Sequence, residues 1–252
     1  MKLKIPTWID PPKSSSVATG ISYWFFSFLC IPFLVLLILL GPDSSSQYAW
    51  IDIAYHGINF LAALVIFFPY LKESAFTLRF EWKKCLITAV ICAVAVTAVK
   101  IAIAALSLCF DDATIAGLSN GLLATTEAEL LLLPTMLAVE QPIWGTLCLV
   151  LLTPLTVSCL FYACIFAPIC SNRPWLAYIV TIVALFIPRL LLVFCFWSFK
   201  EQIIIYLVSL PVHLLACLAY HKTNTIWTPI AVHVISNLIF VIISVILVLF
   251  YY

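Results

Sequence analysis

The stretch HKTNTIWTPIAVHVISNLIF, residues 221–240, begins as a short polar segment and continues as an apolar helix. Two polar side chains interrupt the apolar part, the imidazole of His233 and the carboxamide of Asn237. Because they are four residues apart, a helix places both on the same face. Polar groups at the depth of a bilayer cost a few kcal/mol, which makes them candidates for function.

The composition of the whole chain is that of a membrane protein. It has 252 residues, of which 65% are hydrophobic and 9% charged, and its mean hydropathy is +1.20. A soluble domain carries about 25% charged residues. Too little polar surface is left to cover a globule in water, so we predict a polytopic membrane protein. The net charge of +1 implies no bulk attraction to nucleic acid or to anionic lipid, and the lack of a basic patch or a Gly-rich phosphate loop indicates no nucleic-acid partner.

The ten cysteines lie mostly in apolar runs, where cysteine behaves as a small hydrophobic residue. No CxxC pair or Cys/His cluster has the spacing of zinc ligands. The sequence therefore predicts free thiols, facing lipid or the core, rather than a disulfide framework.

Apolar stretches of about 20 residues, enough to cross a bilayer as a helix, recur along the chain. We predict an all-α, polytopic transmembrane bundle of about seven spans, as a single domain (21–252) after a cytoplasmic N-terminal segment (1–20). Residues 72–84 are expected to form a loop. Within the long connection 111–142, the portion TTEAELLLLPTML (125–137) is expected to form an interfacial or re-entrant helix, interrupted at Pro134. The span 143–170 contains two prolines and could be broken. The predicted spans are 21–41, 48–71, 85–110, 143–170, 174–198, 202–220 and 226–251.

Lysine and arginine are concentrated in alternate loops. The N-terminal segment carries three, the second loop four, and the fourth and sixth loops one each, Arg173 and Lys222. The third loop has acids only, and Lys200 in the fifth runs against the alternation. Basic loops mark the cytoplasmic side. The pattern predicts a cytoplasmic N-terminus and an external C-terminus.

Three ionisable residues fall within the second and third predicted spans. Asp52 and His56 are one helical turn apart on one face. Asp52 lies close to the membrane interface, so we expect this pair to be solvated. Lys100 lies well away from the ends of its span, and two roles are open to it: its ammonium snorkels to a headgroup, or it pairs with an acid such as Asp52 or Glu129.

Two more ionisable residues follow prolines in the fifth and sixth predicted spans. Arg189 can satisfy the backbone carbonyl that Pro188 frees, and a structural role is as well supported as a functional one. His213 is deep in its span, and with His233 it could bind a metal or relay protons. A satisfied hydrogen bond in the core is the ordinary role of one isolated histidine, and a second deep histidine weakens that interpretation.

Residues 220–240, YHKTNTIWTPIAVHVISNLIF, resemble the last motif of the CPBP family, the CAAX-protease and bacteriocin-processing membrane proteins. That motif commonly reads Y-x-[KR]-T-G-[SN]-I/L-W-x-P-I-x-x-H-x-x-x-N. Asn224 takes the place of the usual glycine, and both residue types tolerate turn conformations. The resemblance covers roughly 125–240 and implies a bundle similar to CAAX-type intramembrane proteases, in a bacterial inner membrane. The matching residues are Tyr220, Lys222, Thr223, Ile226, Trp227, Pro229, Ile230, His233 and Asn237.

The other two motifs of the family are degraded here. The glutamate pair of its first motif, P-l-x-E-E-x-x-F-R-G, falls on Val157 and Ser158, and the arginine on Tyr162. Phe186 matches the second motif, F-x-x-x-H, but the histidine falls on Leu190. The resemblance implies an endopeptidase that activates water, which requires a general base or a metal. Neither residue at the glutamate positions offers a base.

The candidate catalytic residues that remain are His233 and Asn237, with His213 as a third. His233 is a metal ligand only if a metal is bound. Two histidines are too few for a catalytic zinc, which has three protein ligands. We therefore expect no cofactor, and a divalent metal such as zinc is the alternative. Glu127 and Glu129 lie about thirty residues before the motif helix and are expected near the other membrane face.

Three functions fit the sequence. The first is a proteolytically degraded family member, a pseudoenzyme that binds a membrane partner such as a sensor kinase, a transporter or a toxin target, as in bacteriocin immunity. The second is an active intramembrane hydrolase that cleaves CAAX-type or membrane-anchored peptides with rearranged catalytic residues. The third is a small channel or transporter lined by Lys100, Arg189 and the histidines. We favour the first, with lipid and a membrane protein or peptide as partners.

Overall fold

Helices make up the part of the chain that the computed structural model describes, namely residues 46–107, 147–195 and 199–251 and six residues between Gly20 and Ser27. No strand occurs within these residues, which confirms the all-α class for them. The predicted helix in 111–142 and most of the first predicted span lie outside the described residues. The helices are α1 (Ser46–Ser107), α2 (four consecutive segments between Cys148 and Cys170), α3 (Pro174–Cys195), α4 (Phe199–Thr223) and α5 (Trp227–Tyr251).

Helix α1 combines the second and third predicted spans and bends at Glu81, whose backbone is non-helical (φ −113°, ψ 23°). The prediction of a loop at 72–84 is wrong. This stretch contains neither glycine nor proline, so nothing local stops the helix before the bend. Both halves of α1 pack near the start of α5, since Trp227 bonds to Leu71 before the bend and Val232 shares a buried cluster with Val96 after it.

Helix α2 continues through both of its prolines, so the break that they make possible does not occur. A proline lacks an N–H and its ring clashes with the carbonyl four residues back in an α-helix. Here a wider π-helical segment precedes each proline, and the residue before the proline bonds to the carbonyl five residues back. The segments are π-helical Cys148–Leu152, α-helical Thr153–Val157, π-helical Ser158–Phe166 and α-helical Ala167–Cys170.

The described part of the bundle packs around α2, in which every residue from 153 to 164 is buried. Tyr23 packs edge-on against Phe67, with ring centroids 5.7 Å apart. Gly20 lies so close to α2 that an added Cβ would be 2.7 Å from the Cys164 sulfur. The described cysteines are free, as predicted, and all are buried: Cys85, Cys92, Cys148, Cys159, Cys164, Cys170 and Cys217.

The outward surface of the described helices is rich in large apolar side chains. On α3 the exposed residues Trp175, Ile179, Val183 and Ile187 recur every four positions and form one stripe. Similar side chains are exposed on α1, where Val65 is 76% exposed. Two helical stretches, His56–Ala102 and Val150–Cys170, are long and apolar enough to cross a membrane, a test of length and composition alone.

Polar and ionisable side chains lie in the interior instead. His56 is buried, so the expectation that it is solvated is wrong, while the side chain of Asp52 lies outside the described residues. Lys100 is buried as well and does not reach out to a headgroup. His213, His233 and Asn237 are also buried, as their depth in the predicted spans indicated.

Three basic segments that the sequence predicts as loops lie at one end of the bundle: 72–84 in α1, the turn with Arg173 and the turn that follows Lys222. The Ser74 hydroxyl, shortly before the bend of α1, is 2.7 Å from the Thr225 hydroxyl in the turn between α4 and α5. The Tyr178 hydroxyl, in the first turns of α3, is 3.3 Å from His221 Nδ1 near the end of α4. The bend of α1, the α2–α3 turn and the α4–α5 turn are therefore neighbours.

Candidate functional site

A buried hydrogen-bond network connects α2, α4 and α5 through three aromatic side chains. The Tyr162 hydroxyl lies 2.9 Å from His213 Nδ1 and 2.9 Å from His233 Nε2. The two imidazole centroids are 5.7 Å apart, and the Tyr162 ring stacks on His233 with a 21° angle between planes. None of the three side chains exposes more than 2% of its surface. One phenolic oxygen therefore joins the two deep histidines that the sequence singles out.

The proton count of this network links the two histidines. A phenolic hydroxyl has one proton to donate and lone pairs to accept, and a neutral imidazole has one N–H and one acceptor nitrogen. If Tyr162 donates to His233 Nε2, it accepts from His213 Nδ1–H, and both rings are protonated on Nδ1. If it donates to His213 Nδ1, both rings are protonated on Nε2. Two neutral histidines in this arrangement therefore share one tautomer.

The turn between α4 and α5 sets the position of His233. Asn224 has a left-handed backbone (φ 53°), which confirms the turn conformation expected at this position. Its N–H donates to the Tyr220 carbonyl at 2.7 Å and closes the end of α4. The Thr223 hydroxyl donates to the Ala219 carbonyl at 2.7 Å and reinforces this end.

Other residues of the same motif attach the turn to α1. The Trp227 indole N–H donates to the Leu71 carbonyl at 3.1 Å, and the Ile226 N–H donates to the Ser74 hydroxyl at 2.9 Å. The hydroxyls of Tyr220 and Tyr70 are 2.8 Å apart. Much of the motif that carries the family resemblance thus has a structural role, which is to hold α5 beside α1.

Two more ionisable groups line the polar interior. Lys100 is only 2% exposed and lies inside the bundle. His56 Nδ1 lies 3.4 Å from the Thr153 hydroxyl, which also bonds to the Cys148 carbonyl at 2.9 Å. The described interior therefore holds a lysine and three histidines. None of the buried side chains that the structure describes is an aspartate or a glutamate.

The structure brings some of the candidate residues together and leaves others apart or undescribed. His213 and His233 meet through Tyr162, and Asn237 is buried one turn farther along α5 on the His233 face. Val157 and Ser158, at the glutamate positions of the family, are both fully buried in α2. The side chains of Arg189 and Leu190, and all of Glu127 and Glu129, lie outside the described part.

The described residues do not fit a catalytic metal site. No group of three histidine, cysteine, aspartate or glutamate side chains among them has the geometry to hold an ion. The place between the imidazoles of His213 and His233 is taken by the Tyr162 hydroxyl. A catalytic zinc requires three protein ligands and an open position.

Tyr162 is the site residue that the sequence alone does not single out. In the apolar run 150–166 it resembles a core aromatic residue, and its only distinction there is its place at the arginine position of the motif. A buried tyrosine hydroxyl nevertheless needs a polar partner. That requirement, together with two deep histidines on other helices, is the signal that points to it.

Comparison of the chain with protein-family models, with curated proteins and with solved structures finds no significant match. The site is therefore characterised by its own geometry. In the described helices a buried polar cluster around Tyr162 lies within an apolar core, and the outward surface is rich in large apolar side chains.

Proposed function

We propose that this chain is a multi-pass membrane protein, similar to the CAAX-protease-like CPBP family, that performs no hydrolysis and acts by binding a membrane partner. The observation that carries the proposal is the Tyr162 hydroxyl, hydrogen-bonded to both His213 and His233. Imidazoles that bond to a tyrosine in a closed core are engaged as structural partners. A general base must instead be within reach of the water that it activates.

The distribution of side chains supports the membrane part of the proposal. Water favours an apolar interior and a polar surface, whereas the described helices expose isoleucine, valine and phenylalanine and bury lysine, histidine and asparagine. In a bilayer the outward surface meets hydrocarbon, and charged or polar groups face the interior of the bundle. The 47 residues of His56–Ala102 are more than twice what one crossing requires, which fits two spans joined at Glu81.

The absence of a buried acid from the described side chains supports the non-catalytic part. Hydrolysis of the kind that the resemblance implies needs a base for water and a group that stabilises the oxyanion. Val157 and Ser158, both fully buried, supply no base. Binding is the function that requires no further chemical group.

The non-catalytic part is tested with purified protein in proteoliposomes, using prenylated CAAX-type peptides and membrane-anchored peptides, with and without added zinc. We expect wild-type protein, His233→Ala and protein-free liposomes to give the same background hydrolysis. Turnover by the wild type that His233→Ala abolishes would overturn the proposal in favour of the endopeptidase. Folding of each variant is checked by circular dichroism before the assay.

The partner-binding part is tested in native membranes with a photo-reactive residue at Val183, on the outward stripe of α3, and at Val65 on α1 as a second outward position. A membrane protein bound to one face gives a discrete protein adduct at one position and lipid adducts at the other. Lipid adducts alone, at these positions and at the outward positions of α4 and α5, would contradict partner binding.

A second candidate, the channel or transporter, is favoured by the burial of Lys100 in the interior that also holds the histidines. A charge kept inside the bundle is typical of ion and proton pathways. This function predicts that proteoliposomes dissipate an imposed proton or ion gradient and that Lys100→Leu changes the rate. Flux that is absent, or indifferent to Lys100→Leu, excludes the pathway through this residue.

A further inference from the structure

The end of the bundle where the three basic loops meet carries a concentrated positive charge. We call it the basic end and define it by six exposed cations: Lys72, Arg79, Lys83, Lys84, Arg173 and Lys222. The same turns contain two carboxylates, Glu73 and Glu81, and Glu81 forms an ion pair with Lys84 at 2.9 Å. Six cations against two carboxylates give this end a surplus of four positive charges, although the whole chain carries a formal charge of only +1.

Large aromatic side chains are exposed among these cations. Phe76, Phe80 and Trp82 expose 55%, 55% and 54% of their surfaces. The rings of Phe76 and Phe80 meet edge-on with centroids 4.9 Å apart, and the Lys83 ammonium lies 5.6 Å from the Trp82 ring. Trp175, at the start of α3, is 64% exposed near the same end.

Cations and aromatic rings share the outward face just before the bend of α1. Lys72, Phe76, Arg79 and Phe80 follow a helical spacing and are all exposed, whereas Ser74 and Thr77 face the bundle and are buried. Tryptophan is enriched where headgroups meet hydrocarbon, and lysine and arginine are attracted to anionic lipids. With Trp82 exposed just after the bend, this end of the bundle combines the two features that a headgroup layer selects.

We infer that the basic end binds anionic phospholipid headgroups, with Phe76, Phe80 and Trp82 anchored at the boundary with the acyl chains and the surrounding cations on the lipid phosphates. The inference rests on the membrane location in the proposed function and goes beyond it by naming a lipid class. Exposed aromatic rings next to the cations favour a lipid surface over an acidic protein segment, because the rings then have hydrocarbon to enter.

The test uses full-length protein in nanodiscs of phosphatidylcholine with and without phosphatidylglycerol. The readout is the ratio of the two lipids that stay bound after transfer to detergent. We expect wild-type protein to retain phosphatidylglycerol preferentially. A juxtamembrane cation contributes about 1 kcal/mol of attraction to an anionic surface, so Arg79→Gln and Lys83→Gln should each lower the ratio by about fivefold. Higher salt should weaken the preference in the wild type.

Lys200→Gln is the matched control, since it removes the same charge at the start of α4, at the opposite end of the bundle from the α4–α5 turn. It should leave the lipid ratio unchanged. The depth of the Trp82 side chain in the bilayer is measured from its own fluorescence, taken as the difference between wild-type protein and Trp82→Phe. Lipids brominated near the headgroup should quench this difference signal, and aqueous iodide should not.

Two competitors separate the possible sources of the anion. Soluble glycerol phosphate that removes bound lipid would show recognition of phosphate alone and overturn the inference of a lipid surface. An acidic peptide that binds the basic end while the lipid ratio shows no preference would overturn it in favour of a protein partner. An equal loss of preference in Lys200→Gln and Lys83→Gln would also overturn it, because the effect would then be one of total charge.

Failure of this inference can be told apart from failure of the proposed function. Protein that alkaline carbonate releases from membranes is not embedded, and both proposals then fail. Protein that stays in the membrane but shows no lipid preference retains the proposed function and loses only the binding of anionic headgroups.

Discussion

Replacing Tyr162 by phenylalanine tests the buried network with the smallest change of shape. The substitution removes one hydroxyl and leaves the ring that stacks on His233. It also leaves the two imidazole nitrogens, each 2.9 Å from that hydroxyl, without this partner. By the proton count of the network, one of the two is a donor and the other an acceptor.

The expected loss of stability in Tyr162→Phe follows from two broken hydrogen bonds. A buried group left unsatisfied costs about 1–3 kcal/mol in soluble proteins. Hydrogen bonds inside membrane proteins contribute about 0.6 kcal/mol on average and at most about 1.7 kcal/mol. With the membrane figures, two bonds give about 1–3 kcal/mol, which we take as the drop in the free energy of unfolding of Tyr162→Phe.

Unfolding in mixed micelles by titration with dodecyl sulfate, followed by circular dichroism, measures this difference. Tyr178→Phe is the matched control, because its hydroxyl lies 3.3 Å from His221 in an exposed pair. Loss of an exposed bond should change the stability by less than about 0.5 kcal/mol. If Tyr162→Phe is as stable as Tyr178→Phe, the hydrogen-bonded network is refuted.

Three further substitutions test the packing that positions the site, all in the same unfolding assay. Gly20→Ala should destabilise by about 1–3 kcal/mol, since its Cβ would lie 2.7 Å from the Cys164 sulfur; an unchanged stability would contradict this close approach. Asn224→Ala should cost about 1–2 kcal/mol at φ 53°, while Asn224→Gly should be tolerated; equal effects would refute the left-handed turn. Trp227→Phe should cost about 1 kcal/mol by removing the bond to the Leu71 carbonyl, and no loss would refute that bond.

Apolar run lengths predict the helices well because a helix that faces lipid or a buried core needs a continuous apolar segment. The runs 174–198, 202–220 and 226–251 correspond closely to α3, α4 and α5. The sequence pattern does not predict the bend at Glu81. The charged residues from 72 to 84 indicate a loop, although this stretch is compatible with a helix throughout. Charge places a segment near water and does not end a helix.

The two π-helical segments of α2 could not be predicted from its prolines alone. A proline shows that the α-helical geometry must change, but not whether the helix breaks, kinks or widens. The burial of 153–164 on all sides indicates which of these occurs, since a break in the middle of the bundle would expose backbone groups that have no water to bond.

The histidines of the site were predictable, and their partner was not. A histidine inside an apolar run is conspicuous, and the spacing of His233 and Asn237 fixes their common face. Which helices face each other is a tertiary property, so the meeting of His213 and His233 at Tyr162 has no local signature in the sequence. The position expected from the resemblance, Leu190, carries no imidazole, and His213 on α4 lies beside His233 instead.

Nitrogen-15 NMR of the protein with labelled histidine, before and after addition of zinc, tests most directly whether Tyr162 holds both histidines in a non-catalytic network. The chain has four histidines, and substitution of each assigns its signals. We predict that His213 and His233 are neutral, are protonated on the same ring nitrogen, and do not respond to zinc. Opposite tautomers would contradict the Tyr162 bridge. A zinc-dependent shift of His233 together with peptide hydrolysis would contradict the proposal that the site is not catalytic.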